Sequence, residues 1–405
     1  MILTRLAVLA ALLAASLPAH AQTDRAGDDG VAAELRSPVK AYRDGDLAGA
    51  EAQLRPLAAR NPDAEAWLGA VLLDRGQDGE ALKALQHSAD AGSAEGEHRL
   101  ALVFAEGLAG TPRNEARAFE LFQKAANAGH HRAEINLGIF YLNGLGTERD
   151  LVQARAWLEK AAANGDPYAL YALGRAMEES LGPAVADPVR AADLYRRAAE
   201  KGHPLAALRY GLALMDGVGV KKDAAAAQRW LLQANQDGVP EAALALADMT
   251  VRMPALKNKA ENQKLIALAV GWYQSAAEAG VASAQFKLAN AYFAGAGVPR
   301  DPAQALVWYD RAARQGLPEA QNALGILLMG GVAGPRDPVE GYKWLVLAEK
   351  GGNPDSHAVR EKASAQIAAA DRARAEDLAA RFKPVLERPM SDVPPRLMPP
   401  AAKPQ

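Results

Sequence analysis

Apolar residues recur at helical spacing in paired segments along most of the chain. In residues 133–141 apolar side chains return every three or four positions, and a second stripe of the same kind spans residues 154–162. Gly144 and Gly146 separate the two stripes, and Gly165 follows the second one. Glycine commonly ends a helix because it tolerates the left-handed conformation. The pattern therefore predicts a unit of helix, glycine turn and helix.

This unit recurs with a period near 36 residues. Two series of positions advance in steps of 36 or 37 residues, and each contains one step of 42, which marks an insertion of six residues. The first series is Trp157, Leu194, Trp230, Trp272, Trp308 and Trp344. The second series is Gly138, Gly174, Gly211, Ala247, Ala289 and Gly325. A period in this range predicts an α-solenoid, in which each helix pair packs on the next.

An aspartate precedes the second stripe in five units. These residues are Asp150, Asp187, Asp223, Asp301 and Asp337. Three of them are followed by proline, which suits the first helical position because its missing N–H would be unpaired there in any case. We expect each carboxylate to cap the second helix of its unit and to fix where that helix begins.

The residues around position 325 carry a specific repeat motif. The motif comprises Leu324-Gly325, Gly330-Gly331, Asp337-Pro338, Gly341-Tyr342 and Trp344-Leu345, and residues 133–165 and 284–316 contain the same pattern. In these positions the chain resembles the Sel-one-like repeat, a relative of the tetratricopeptide repeat. The resemblance implies an all-α fold, a right-handed superhelical α/α solenoid of stacked two-helix repeats.

The repeats divide the chain into predicted segments. We expect a signal peptide at 1–21, a disordered mature N-terminus at 22–34, degenerate tetratricopeptide-like helix pairs at 35–92, capping helices at 353–387 and a proline-rich disordered tail at 388–405. Between them we expect seven Sel-one-like repeats at 93–129, 130–165, 166–202, 203–238, 239–280, 281–316 and 317–352.

The N-terminus has the pattern of an export signal. Arg5 precedes an apolar run at 6–17, and Ala19-His20-Ala21 is a small-x-small cleavage pattern. That run is shorter than the roughly 20 residues that a membrane-spanning helix needs. We expect cleavage after Ala21 and a periplasmic or secreted mature chain without a transmembrane segment.

Composition narrows the classes of function. The chain has 46 basic and 48 acidic residues, a balance that argues against a nucleic-acid binder. It has no cysteine, which excludes disulfides and thiolate chemistry. Only 6% of the residues are aromatic, so the core must consist mainly of alanine and leucine.

Three short motifs could carry chemistry. Ser37-Pro38-Val39-Lys40 matches the S-x-x-K motif of penicillin-recognising enzymes, but the companion S-D-N and K-T-G motifs are absent, which favours coincidence. The G-x-G turns at 144–146, 217–219 and 295–297 have neither a preceding strand nor the third glycine of a dinucleotide site.

His130-His131 with Glu134 is the third motif and could suggest a metal site. The position of His130 is occupied by His203, Val281 and Leu317 in other units, and aliphatic side chains cannot be ligands. We therefore expect no metal, no cofactor and no catalytic residue.

Two units depart from the pattern. Residues 178–183 replace the glycine turn of one unit, and the unit at 239–280 carries an insertion at 254–263. Each is either a tolerated loop extension or a hinge or partner-contacting loop.

In tetratricopeptide arrays the first helix of each pair lines the inner surface. By that analogy the candidate protein-binding residues are Ile139, Leu142, Tyr171, Arg175, Leu212, Met215, Phe286, Asn290, Phe293, Ile326 and Met329. The alternative is that these side chains only pack within the superhelix.

The resemblance implies a non-enzymatic scaffold or adaptor that binds envelope proteins or extended peptide segments. It would regulate or assemble an envelope process such as exopolysaccharide production, secretion or cell-wall growth. The alternative is a cell-wall-related hydrolase or a penicillin-binding, β-lactamase-like activity.

Overall fold

The computed structural model describes residues 31–180, 184–252 and 258–387. The predicted signal peptide, most of the predicted disordered N-terminus and the proline-rich tail lie outside the described residues, as does part of the insertion at 254–263. The described residues form twenty α-helices joined by short connections, preceded by one 3-10 turn at Ala33–Leu35. The predicted all-α fold of stacked helix pairs is confirmed.

The chain divides into two structural units. The first contains residues 31–206 and 218–221 of the described part. Its helices are α1 (Arg36–Arg43), α2 (Leu47–Ala58), α3 (Pro62–Asp74), α4 (Asp78–Asp90), α5 (Ala94–Glu106), α6 (Glu115–Asn127), α7 (His131–Asn143), α8 (Leu151–Ala162), α9 (Pro167–Met177) and α10 (Pro188–Glu200). Within each pair the second helix packs on the first, and the next pair packs against that second helix.

The second unit contains residues 207–217 and 222–387. Helix α11 (Pro204–Asp216) begins in the first unit and continues here. The later helices are α12 (Ala224–Gln236), α13 (Pro240–Val251), α14 (Lys259–Glu278), α15 (Ala282–Ala294), α16 (Pro302–Arg314), α17 (Pro318–Gly330), α18 (Pro338–Lys350), α19 (Ser356–Ser364) and α20 (Ala369–Arg381). Consecutive helices of this unit also pack in pairs.

The predicted aspartate caps form as expected. The Asp150 carboxylate accepts hydrogen bonds from the backbone N–H groups of Val152 and Gln153 at 2.8 and 3.0 Å. Asp187, Asp223, Asp301 and Asp337 cap α10, α12, α16 and α18 in the same way. Each cap satisfies backbone donors that would otherwise be unpaired and stabilises its helix by about 1 kcal/mol.

The recurring glycine of the first helix allows close packing within a pair. A Cβ placed on Gly138 would lie 2.6 Å from the Leu158 side chain of α8, and one on Gly325 would lie 2.8 Å from Leu345 of α18. Real Cβ atoms do not approach so closely. Glycine fits these positions directly, whereas alanine would force the neighbouring side chain or helix to shift slightly. The glycine series in the sequence therefore reports helix-on-helix contact.

The G-x-G turns are interhelical, as predicted. Gly144 ends α7 in the left-handed conformation, with φ of +69°. Gly146 has φ of +61°, and a Cβ there would collide with the backbone carbonyl of Glu115 at the start of α6. The second glycine thus allows the turn to approach the preceding pair.

Helix α14 has 20 residues, whereas the other repeat helices have 11 to 13. The turn glycine Gly297 faces Ile266, the position that corresponds to Glu115 beside Gly146. Residues 259–265 are therefore extra helix, about two turns long. The Asn258 side chain caps this extension by accepting from the Ala260 N–H at 2.9 Å.

The end of the second unit folds back on earlier repeats. Helices α19 and α20 pack on α18, and the Phe382 ring lies 5.2 Å from the Trp344 ring. The Val385 N–H donates to the Arg314 carbonyl at 2.9 Å. Glu387 then reaches Arg311 and Gln285, residues of α16 and α15.

Candidate functional site

The candidate binding residues predicted from sequence differ widely in exposure. Ile139, Leu142, Tyr171 and Met329 are buried. Arg175, Leu212, Met215, Phe286 and Phe293 are partly buried, while Asn290 and Ile326 are exposed. The buried members pack inside their own unit, as in the alternative interpretation. The exposed members are free to contact a partner, and a binding role for any of the eleven stays a prediction.

The second unit contains a cavity of about 590 Å³ between α13, α14 and α15. We call it the extension groove. Its lining residues are Thr250, Val251, Asn262, Leu265, Ile266, Ala269, Val270, Tyr273, Lys287, Asn290, Ala291, Ala294 and Ala296. Most of these side chains are apolar, and the few polar groups are spread over the three helices. This composition is common in ligand- and peptide-binding clefts.

The extension of α14 forms one wall of the groove. Asn262 and Leu265 belong to the extra turns, and Ile266 follows them directly. Ile266 of α14 is 42% exposed, and Val251 of α13 is 58% exposed. Apolar side chains of this size are normally covered when they line a concavity, so the groove offers apolar area to a partner.

A polar cluster lies at one side of the groove. Lys287 Nζ is 3.0 Å from Asp248 Oδ1, and the Tyr273 hydroxyl donates to the same oxygen at 2.7 Å. Burial, followed by the bond to Asp248, raises the pKa of Tyr273. Tyr273 therefore stays protonated at physiological pH and fixes the orientation of the carboxylate.

Asn290 is the one candidate residue from the sequence that lines this groove. Its side-chain oxygen accepts a hydrogen bond from the Tyr309 hydroxyl at 2.5 Å, and burial raises the pKa of Tyr309 to about 12. Its exposed amide nitrogen can donate to a partner carbonyl. Phe286 packs near the same tyrosine, with the ring centroids 5.8 Å apart.

The sequence interpretation missed Val251, Leu265 and Ile266. The six-residue insertion was noted in the repeat that contains these residues, but the inserted residues were interpreted as a loop. Leu265, Ile266 and Ala269 follow helical spacing, and that spacing was the available signal for an extended helix.

The S-x-x-K residues do not form a nucleophile–base pair. The Ser37 hydroxyl donates to Gln53 Oε1 at 2.7 Å, and Lys40 pairs with Asp44. Both Ser37 and Lys40 are exposed on α1. A serine nucleophile needs a base within hydrogen-bond reach, and here each group bonds to a different residue.

The three residues of the histidine motif do not converge on one point, although His131 Nδ1 lies 3.9 Å from Glu134 Oε2. His131 Nε2 lies 3.3 Å from Asp166, and Glu134 pairs with Lys160 at 2.8 Å. His130 contacts Glu95 of the preceding repeat, with 2.9 Å between Nε2 and Oε2. A site that combines these three residues is therefore not formed.

A different group meets at His130. One donor atom from each of Glu95, His98 and His130 lies within 4.8 Å of the other two. The His98 and His130 rings stack with their centroids 4.5 Å apart. Sequence reasoning missed Glu95 and His98 because they belong to the preceding repeat, 35 and 32 positions before His130.

The His130 ring also caps α7. Its Nδ1 accepts from the Ala133 N–H at 3.2 Å. Ser93, Asp166 and His203 occupy the same repeat position and cap α5, α9 and α11 by the same kind of bond. The repeat position therefore serves as the N-cap of the first helix in four units.

No helix in residues 31–180, 184–252 or 258–387 combines the length and apolar character required to cross a bilayer.

Stacked helix pairs, most of them closed by a glycine turn, define a helical repeat protein. The Sel1 repeat model matches residues 94–130, 131–166, 167–203, 204–239, 263–281, 282–317 and 318–353. Because these matches cover more than half of the chain, the protein belongs to the Sel1 repeat family, as the sequence motif indicated. Repeats of this family act as protein-interaction scaffolds, and their fold is typical of non-catalytic proteins.

A solved structure and two curated relatives illustrate the family. The chain is 28% identical to a Sel1 repeat protein from Oxalobacter formigenes, with a TM-score of 0.56 over 76% of this chain and 89% of that one. It is 34% identical over 106 residues, 26% of this chain, to the ERAD-associated E3 ubiquitin-protein ligase component HRD3B of Arabidopsis thaliana. It is 34% identical over 126 residues, 31% of this chain, to chitin synthase regulatory factor 3 of Schizosaccharomyces pombe. The chain spans only 16% and 13% of the lengths of these two curated relatives.

Proposed function

We propose that this protein is an exported, non-catalytic scaffold that docks an extended segment of an envelope protein in the extension groove. The role would be to assemble or regulate an envelope process. The observation that carries the proposal is the groove itself, a concavity of about 590 Å³ lined by the exposed side chains of Val251 and Ile266.

The chemistry of the groove favours an extended peptide with apolar side chains. The alanines at 269, 291 and 294 leave room between the helices, so side chains of a partner can enter. The exposed amide of Asn290 can bond to the peptide backbone. Apolar contact supplies affinity, and polar groups of this kind fix the orientation of a bound segment.

The N-terminal sequence supports export. A basic residue, an apolar run and a small-x-small pattern precede Gln22, as in cleaved secretory signals. The fission-yeast relative is described as a regulatory factor of chitin synthase, which is consistent with a regulatory or assembly role rather than catalysis in its own right.

A photo-crosslinking residue tests the groove. Ile266 is replaced by a photoreactive residue, the variant is produced in cells and the cells are irradiated. Adducts in the envelope fraction are then identified by mass spectrometry. We expect one discrete envelope-protein adduct. Val307 of α16 is the matched control, because it is also aliphatic, lies in the same unit and is 53% exposed. The variant with the photoreactive residue at position 307 should give no such adduct or a much smaller amount of it.

A substitution gives the complementary test. Ile266→Asp should reduce capture of the crosslinked protein at least tenfold, because burying a carboxylate against an apolar segment costs several kcal/mol. Val307→Asp should leave capture unchanged. Equal capture by both variants, with circular dichroism unaltered, would remove the groove from the proposal.

Two further measurements address export and catalysis. The intact mass of the native protein should correspond to a chain that begins at Gln22. On cell fractionation, the protein should be recovered outside the cytoplasm. A fluorescent β-lactam should not label the chain covalently. Labelling at Ser37, or a full-length cytoplasmic chain, would contradict the proposal.

A further inference from the structure

A second kind of site lies at the junction of two repeats in the first unit. Glu95 and His98 are one turn apart on α5, and His130 is the N-cap of α7. Side chains at positions i and i+3 of a helix share a face, so α5 presents a carboxylate and an imidazole together. The stacking of the next repeat brings the third donor to them.

The distances suit a small cation. Ligand atoms around a tetrahedral zinc ion, bound at 2.0–2.2 Å, are about 3.3 Å from one another. His130 Nε2 and Glu95 Oε2 are already 2.9 Å apart, and all three donors lie within 4.8 Å. Its distances to the other two donors would have to shorten by no more than about 1.5 Å for the His98 ring to complete the geometry.

The His98 ring has a donor atom with no other use. Its side chain is buried, and Nδ1 has no hydrogen-bond partner among the described residues. Nε2 lies 3.2 Å from the Asn136 amide, whose oxygen is also unpaired. Rotating that amide by 180°, which exchanges its N and O atoms, makes the oxygen accept from Nε2–H and leaves a lone pair on Nδ1.

We propose that Glu95, His98 and His130 form a site for one divalent transition-metal ion of the zinc type, with water as the remaining ligand. Two histidines and one glutamate are a known zinc ligand set. Glu95 and His130 keep 19% and 15% of their side-chain surface exposed, which leaves a path for the ion. The metal would join two consecutive repeats.

Binding has an identifiable cost. His130 Nδ1 now accepts from Ala133, so Nε2 carries the proton that points at Glu95. A metal at Nε2 displaces that proton, and the neutral ring then carries its proton on Nδ1, which breaks the cap bond. Arg99 bonds to the other oxygen of Glu95 and lies 3.8 Å from the Trp67 ring, so it can remain in place.

The chain contains its own matched control. His203 caps α11 as His130 caps α7, and it also stacks on a ring of the preceding first helix. The residues that correspond to Glu95 and His98 are Tyr168 and Tyr171. The cap and the stacked ring are thus shared by two repeats, whereas the potential metal ligands are present in one.

The test uses the tag-free full chain after removal of metal with a chelator. Cobalt(II) is added, binding is followed by its visible absorption, and zinc is used to displace it. We expect one cobalt ion per chain and displacement by one equivalent of zinc. His203→Ser should bind as the unmodified protein does.

Two variants remove ligands with residues that the repeats already use at those positions. His130→Ser keeps a capping hydroxyl, as Ser93 does, and His98→Tyr copies Tyr171. Each should weaken cobalt binding at least tenfold. Glu95→Gln, at a less buried position, covers the case in which His98→Tyr fails to fold. Absence of binding at millimolar cobalt and zinc, or equal affinity in folded variants, would overturn the proposal.

Discussion

The histidine at the start of a repeat has different surroundings in two places. His203 is buried, its Nδ1 accepts from Ala206, and its Nε2 has no partner among the described residues. Burial lowers the pKa of His203 to about 4, although Asp166 opposes this shift. The folded first unit therefore holds this ring neutral, and protonation favours unfolding.

This difference predicts an acid sensitivity. The unfolded chain binds a proton at His203 near pH 6.5 and the folded chain only near pH 4, so stability falls as pH drops through that window. The full effect is about 3 kcal/mol. His203→Ser keeps the cap and should remove most of this loss, measured by denaturant unfolding of the first unit at pH 7 and pH 5.

His357→Ser serves as the control, because His357 is exposed and lies in the second unit. It should leave the acid sensitivity of the first unit intact. If His203→Ser unfolds with the same pH dependence as the unmodified chain, burial of His203 is not its source. Burial also lowers the pKa of His98, which therefore adds its own loss of stability at acid pH. His203→Ser should thus reduce the loss of stability rather than abolish it.

At the scale of the helix, much of the architecture could be predicted from sequence. The aspartate caps, the packing glycines and the turn glycines recur in fixed steps because each is required by local backbone geometry. The sites could not be predicted in the same way. Glu95 and His130 meet only because one repeat packs on the next, and Asn262 and Leu265 line the groove only because α14 starts two turns early.

The extra turns of α14 give a prediction at this scale. Gln263 is an exposed residue of these turns, and proline there removes an N–H and clashes with the preceding turn, at a cost of about 3 kcal/mol. Gln263→Pro should unwind residues 259–262 and leave the helix beyond 266 folded. Hydrogen exchange should show faster exchange at the start of α14 only.

Gln263→Ala is the control, because alanine is a good helix former and should leave exchange unchanged. The proline variant should also lose capture of the crosslinked partner, since Asn262 and Leu265 line the groove. Full capture by a chain whose extension has unwound would show that the extension is only a spacer.

At the scale of the whole molecule, contacts between residues distant in sequence are exceptional in a repeat protein. The segment 382–387 supplies one. Glu387 accepts from Gln285 at 2.7 Å and from Arg311 at 2.8 Å, although Gln285 precedes it by 102 positions. This segment therefore joins α15 and α16 to the end of the second unit.

Two shortened chains isolate this contribution. A chain that ends at Glu387 keeps the segment, and one that ends at Arg381 lacks it. We expect the second to unfold more easily by about 2 kcal/mol, from the partly buried Phe382, the Val385 hydrogen bond and an ion pair that solvent limits to about 1 kcal/mol. Thermal and denaturant unfolding of the second unit measure the difference.

The ion-pair share of that difference should depend on pH. The hydrogen bond from Arg311, with a smaller one from Gln285, lowers the pKa of Glu387. A carboxylate with a lowered folded pKa stabilises the fold above its unfolded value near 4.5, and this contribution disappears as pH falls through the folded value. The difference in unfolding free energy between the two chains should thus narrow below pH 4.5 and stay constant above pH 6.

Glu387→Gln in the longer chain should remove this pH dependence but keep the part of the difference that is due to Phe382. An unchanged gap at every pH would mean that the aromatic contact alone holds the segment.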